Sequence, residues 1–132
     1  MGYEFSRDHR LLTPADYKAV FSDTTCKASA PLILLLARVN NLDHPRLGLV
    51  IAKKHVRHAV DRNKIKRIAR ESFRHHQDLL GTLDIVILAR KGLGDLDNAQ
   101  LHALYQDMWR RIARSASKRA RSPNSGPPSS NA

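Results

Sequence analysis

Residues 59–74 read AVDRNKIKRIARESFR, and the reading of this stretch governs the rest of the chain. At about 100° per residue, Ile65, Ile68, Ala69, Ser72 and Phe73 fall in one sector, the pattern of a helix laid on a core. Arg62, Lys66, Arg70, Arg74 and Arg67, with Asn63 among them, fill a neighbouring sector of roughly 140°. A solvated helix face normally mixes charge signs so that i, i+4 pairs attract. Here Arg62 with Lys66, Lys66 with Arg70, and Arg70 with Arg74 all repel, costing an isolated helix on the order of 1 kcal/mol. The one local relief is Arg67 with Glu71, in the weaker orientation, and Arg62 and Lys64 stand near the helix start, where the macrodipole favours acids. A local rule broken without local compensation marks a functional surface, and this surface suits a polyanion.

Composition agrees with the stripe. The 132 residues carry 23 Lys and Arg against 12 Asp and Glu, a net charge of +11, in the range expected for nucleic-acid binding. Residues 53–74 hold nine of those 23 bases and only Asp61 and Glu71 as acids, so the charge is concentrated. The length suits one small domain, whose core aliphatic residues must fill because only 5% of the chain is aromatic. The longest apolar run, residues 31–37, is far too short to span a bilayer, and the charged N-terminus is unlike a secretory signal, so a cytoplasmic protein without membrane contact is expected. The single cysteine, Cys26, leaves no intrachain disulfide and no cysteine-based zinc cluster.

The chain alternates between helix and strand signals. Thr13-Pro14-Ala15-Asp16 supplies a capping residue, a first-turn proline and an acid at the third position, and Tyr17, Val20 and Phe21 then share a face, which by itself reads as core. Residues 32–39 and 46–52 are apolar segments of strand length separated by turn residues, so the pattern predicts a hairpin. Gly81 breaks the chain, residues 84–89 read as a covered third strand, and Gly92 and Gly94 end it. Asp97 or Asn98 caps a last helix in which Leu101, Leu104, Tyr105, Met108 and Ile112 repeat at helical spacing. The predicted domain is residues 1–114. Residues 115–132, rich in Ser, Pro and Arg, are expected to be a disordered tail. With Arg110, Arg111 and Arg114, the bases Lys118, Arg119 and Arg121 form a second basic patch able to add affinity without sequence readout.

Catalytic constellations are not evident. A protein nuclease needs carboxylates gathered on a metal or a pair of acid–base histidines, and the acids here are scattered. His55 with His58, and His75 with His76, lack the further ligands that zinc requires, and there is no phosphate-binding glycine loop. No catalytic residue and no protein-held metal are expected.

The run LGLVIAKKHVRHAVDRNKIKRIARESFR resembles the signature region of the bacterial ribonuclease P protein component. Arg46-Leu47-Gly48, Lys53-Lys54, Ala59-Val60, Arg62-Asn63, Lys66-Arg67, Arg70-Glu71 and Phe73-Arg74 fall in that family's order and spacing. Arg10-Leu11, Asp16-Tyr17 and Val20-Phe21 match its N-terminal helix, and residues 84–91 its last strand. Two segments depart: residues 31–39 are aliphatic where some members carry an aromatic, and Ala52 stands where many have serine.

The resemblance implies an α+β fold, a small helix-covered sheet with an unusual left-handed βαβ crossover. It implies a protein subunit of an endoribonuclease that removes the 5′ leader of precursor tRNA, with catalysis carried by a partner RNA and magnesium held mainly by that RNA. Carried over position by position, Lys53, Lys54, Arg62, Asn63, Lys66, Arg67, Arg70 and Arg74 would contact the catalytic RNA, and Tyr17 and Phe21 would line a cleft for the leader. The same stripe would also serve a ribosomal or RNA-chaperone protein that binds structured RNA without a cleavage reaction.

Overall fold

The first helix forms where the sequence places it. In the computed structural model, which describes residues 10–11 and 13–121, Thr13 Oγ1 accepts from Asp16 N and Asp16 Oδ2 accepts from Thr13 N, closing a capping box over α1, Pro14–Ser22. There follow β1 (Cys26–Ser29), β2 (Ile33–Val39), β3 (Arg46–Val50), α2 (Ala59–Arg74), α3 (Gln77–Leu80), β4 (Leu83–Ala89), a 3-10 turn (Leu93–Asp95) and α4 (Asn98–Arg121). The strands make one four-stranded sheet in the order β1-β2-β4-β3, an α+β architecture.

The predicted hairpin between residues 32–39 and 46–52 is not formed. β2 instead pairs antiparallel with β1, through a tight turn in which Ala30 and Ile33 exchange backbone hydrogen bonds. β4 then inserts between β2 and β3, antiparallel to the first and parallel to the second. Burial explains the insertion. β4 is apolar on both faces except at Asp84, and six of its seven residues are buried, so it belongs in the sheet interior. β3, with Gly48 and the exposed Val50, suits an edge. β3 and β4 are thus parallel neighbours joined across α2.

One face of the sheet is closed by α2 and α4. The predicted inner stripe of α2, Ile65, Ile68, Ala69, Ser72 and Phe73, is the buried one. It meets Leu101, Tyr105, Met108, Trp109 and Ile112 of α4 over Ile33, Leu35, Ile85 and Ile87 of the sheet. Phe73 packs edge-on against Trp109 at 6.0 Å between centroids, and Tyr105 stacks on Trp109 at 5.9 Å. The two polar tips are satisfied: Trp109 Nε1 donates to Ser72 Oγ at 2.8 Å and the Tyr105 hydroxyl to Ile65 O at 3.1 Å.

Among the described residues the opposite face carries α1, nine residues long, and the short segment of residues 10–11, over a small cluster of Leu11, Val20 and Val86 with Tyr17, Leu36 and Leu88 beside it. Arg46 ties this layer together. Its guanidinium donates to both oxygens of buried Asp84, at 2.9 and 2.7 Å, and lies 3.8 Å from Asp16 of α1. Asn40 Nδ2 reaches the same Asp84 at 2.8 Å and also the His44 carbonyl, fixing the β2–β3 connection.

Helix α4 starts as predicted, with Asp97 Oδ1 accepting from Gln100 N and Gln100 Oε1 from Asp97 N. It does not stop near residue 114. The helix runs to Arg121, correcting the expectation of disorder from residue 115. Ala116 continues the apolar row of Met108 and Ile112 and packs on the core, and Ala, Lys and Arg are strong helix formers. Residues 122–132 of the predicted tail lie outside the described residues.

Candidate nucleic-acid interface

The turn before α2 is built by backbone bonds from His55 N and Val56 N to Ala52 O, which leaves Lys53 and Lys54 exposed at its crest. Arg62 closes that turn: one terminal guanidinium nitrogen donates to Val56 O at 3.0 Å and to Arg57 O at 2.9 Å. This residue, placed in the cationic stripe by sequence, therefore also holds the two lysines in position. Lys64, which the projection leaves outside the stripe, bonds through its ammonium to Leu96 O at 2.8 Å.

The remaining stripe faces outward. Asn63 and Arg67 are exposed, and Lys66, Arg70 and Arg74 are half-buried along their aliphatic stems. Among the described residues none of these cations forms an ion pair with a carboxylate, and the expected Arg67–Glu71 relief is not made. Their repulsion is borne by the packed inner face. Burial, and then the neighbouring Arg10 guanidinium, pull the pKa of Arg70 below the usual arginine value, while Tyr17 opposes the shift. This crowding of like charge is what an anion would relieve.

Three depressions share these side chains. One of about 480 Å³ runs along α2, lined by Val60, Asn63, Lys64, Lys66, Arg67 and Arg70 with Asp61 as its one acid. Another, about 370 Å³, is bounded by Arg10, Arg67, Arg70, Glu71 and Arg74. The third, about 290 Å³, is a cleft between α1, β3 and α2, lined by Arg10, Leu11, Tyr17, Gly48, Lys66 and Arg70 among others. Lys66 and Arg70 line both the helix face and the cleft, so the two form one continuous cationic surface.

Tyr17 lies in that cleft because Gly48 lets it. A Cβ at Gly48 would stand 2.7 Å from the tyrosine ring, and the Tyr17 hydroxyl accepts from Leu49 N at 3.3 Å, covering an edge-strand donor. Phe21, expected beside it, does not line the cleft and is 44% exposed one turn further along α1. Of the three residues that periodicity places on the core face, Val20 is fully buried, Tyr17 is half-buried against the small cluster, and Phe21 is exposed. The cleft wall from Arg10 and Leu11 was legible only as motif residues, because they act through a bridge to Leu47 rather than through helix periodicity.

Among the described residues no group of three or more His, Cys, Asp or Glu is gathered as a metal would require, and no helix is long and apolar enough to cross a membrane. Cys26 is buried in the core with its thiol free.

Comparison with known proteins agrees with this architecture. The family model described as ribonuclease P matches residues 5–113. A ribonuclease P protein component of Pseudomonas putida is 56% identical over 115 residues, covering 87% of this chain and 86% of the relative. That of Pseudomonas entomophila is 53% identical over 129 residues, covering 98% and 97%. The RNase P protein structure from Staphylococcus aureus superposes with a TM-score of 0.70 at 29% identity, covering 76% of this chain and 91% of that one. The Thermotoga maritima protein gives 0.68 at 30%, covering 78% and 96%. Fold, cationic helix and sequence similarity converge: the chain belongs to the ribonuclease P protein family.

Proposed function

We propose that the chain acts as the protein subunit of ribonuclease P, docking on the catalytic RNA through the outer face of α2 and receiving the 5′ leader of precursor tRNA in the adjoining cleft. The observation that carries this reading is a row of cations left without carboxylate partners on a helix whose other face is locked in the core. Lys53, Lys54, Arg62, Asn63, Lys66, Arg67, Arg70 and Arg74 neutralise or hydrogen-bond RNA phosphates in this assignment. Such contacts position a nucleic acid without reading its sequence, which suits a subunit that must handle many substrates. Tyr17 offers a stacking surface beside Lys66 and Arg70, and a stacked base contributes about 1–3 kcal/mol whatever its identity. Phe21, exposed on the same helix, extends that surface for a longer leader.

Magnesium supplies metal-activated water in phosphodiester hydrolysis. The α2 face does not fit it: Asp61 and Glu71 stand ten residues apart among cations, whereas the ion takes oxygen donors in a near-octahedral set. In this reading the metal and the chemistry stay with the RNA in the cytoplasm, and the protein lowers the electrostatic cost of bringing RNA and precursor together.

Two measurements test the proposal. If about five phosphates are neutralised, the logarithm of RNA affinity falls with the logarithm of salt at a slope of about −3.5 to −4.5. Arg67→Ala brings the slope nearer to zero by about 0.7 to 0.9 and shifts stability by less than about 0.5 kcal/mol. Reconstitution of protein, RNA and precursor tRNA at low magnesium, each omitted in turn, assigns the chemistry. Cleavage by the protein without RNA overturns the assignment.

A further inference from the structure

Helix α4 carries cations that the α2 face does not use. Arg110, Arg111 and Arg114 occupy its middle, ahead of the last turn at Arg121, so the helix macrodipole does not account for them. Arg110 and Arg114 repel at i, i+4. Across from them lies β1, and between β1 and α4 runs a groove of about 260 Å³ lined by Lys27, Ser29, Arg111, Arg114 and Ser115.

Arg111 is held in that groove. It donates to Ser29 O at 2.8 Å and toward Met108 Sδ at 3.5 Å, with a long ion pair of 3.8 Å to Asp107 on the rim. Lys27, Arg110 and Arg114 are exposed, and among the described residues none of them pairs with a carboxylate. Among the described residues the exposed large apolar side chains are Phe21, Val39, Leu42, Val50, Val60 and Leu79, and none of them lines the groove, so the groove itself presents no large apolar side chain to insert into a lipid surface. The chemistry left is that of phosphate bound by fixed and mobile cations.

Position then separates this groove from the first surface. β1 and β3 are the two edges of the sheet, about 14 Å apart over three strand spacings, and the Tyr17 cleft sits at the β3 edge. We propose that the β1–α4 groove is a second RNA-backbone contact, engaging a segment of the partner RNA distinct from the one on α2. The inference rests on the reading of the chain as an RNA-bound subunit.

Directed hydroxyl-radical probing tests it with the full chain bound to in vitro transcribed ribonuclease P RNA. Cys26 is buried, so Ser29→Cys and, separately, Val60→Cys each provide one reactive thiol for a tethered iron chelate. The expected result is RNA cleavage from both positions, at different nucleotides. Cleavage from position 60 alone, or at the same nucleotides from both, overturns the second contact. Cleavage from neither position overturns the α2 docking as well, which separates the two failures. The Lys27→Ala/Arg114→Ala double variant then distinguishes contact from proximity: the salt slope should move toward zero by about 1.8 for duplex RNA, and an unchanged slope overturns the proposal.

Discussion

The two faces of the sheet are covered unequally, and the molecule's chemistry follows that difference. α2 and α4, 16 and 24 residues long, seal one face with a core that includes Phe73, Tyr105 and Trp109, all fully buried. The nine-residue α1 shields only part of the other, leaving a cleft in which Tyr17 and two cations of α2 meet. The sealed face anchors α2 firmly enough to tolerate like charges on its outer side. On the open face the Tyr17 ring lines a cleft beside Lys66 and Arg70, the place proposed for the leader strand. The inner side of α2 is thus committed to the core, while its outer cations and the cleft beside α1 remain accessible.

The largest effect that sharpens this contrast is expected in the sealed layer. Trp109→Ala removes the ring between Phe73 and Tyr105 and leaves the Ser72 hydroxyl unpaired, so chemical denaturation should show a loss of about 4 kcal/mol. Arg46→Ala comes next, about 3 kcal/mol, because it leaves the Asp84 carboxylate buried beside Asn40 without its cation. That variant should also loosen α1, seen as faster amide exchange at residues 14–22; an unaltered α1 would show that the Arg46–Asp16 pair contributes nothing to its seating.

Gly48→Ala probes the open side. The added methyl would meet the Tyr17 ring, costing about 2 kcal/mol and displacing the ring from the cleft, so leader affinity should fall more than affinity for the RNA subunit. Equal losses for both ligands would break the division between cleft and helix face.

Tyr105→Phe gives the smallest change, about 1 kcal/mol for the bond to Ile65 O at neutral pH. Burial raises the Tyr105 phenol above its ordinary value of 10.0, so the folded state favours the protonated form. The sign follows: that contribution is complete below pH 10.0 and is lost as pH rises beyond it, when the unfolded chain releases the proton first. The phenylalanine variant should show a flatter alkaline decline.

Much of this architecture is written in short-range patterns. Thr13, Pro14 and Asp16 announce α1, Asp97 caps α4, and the two stripes of residues 59–74 separate core from cations, because capping and helical periodicity involve neighbours within a few positions. Other features were hidden from such patterns. β1, Cys26–Ser29, is four residues with a lysine and a serine on its exposed side, too short and mixed to signal a strand until β2 pairs with it. Arg62 reads as one more stripe cation, and only the folded turn gives it carbonyl partners at Val56 and Arg57.

By itself, then, the chain's order of residues determined the helix faces, the charge concentration and the family signature, all of them properties of local spacing and composition. Tertiary structure alone decided that β4 lies between β2 and β3, that Arg46 closes on Asp84 across 38 positions, and that Tyr17 rests on Gly48 beside Lys66 and Arg70. The physical reason is that strand pairing and buried ion pairs depend on which surfaces compete for the same neighbours, and that competition is settled only when the whole core closes.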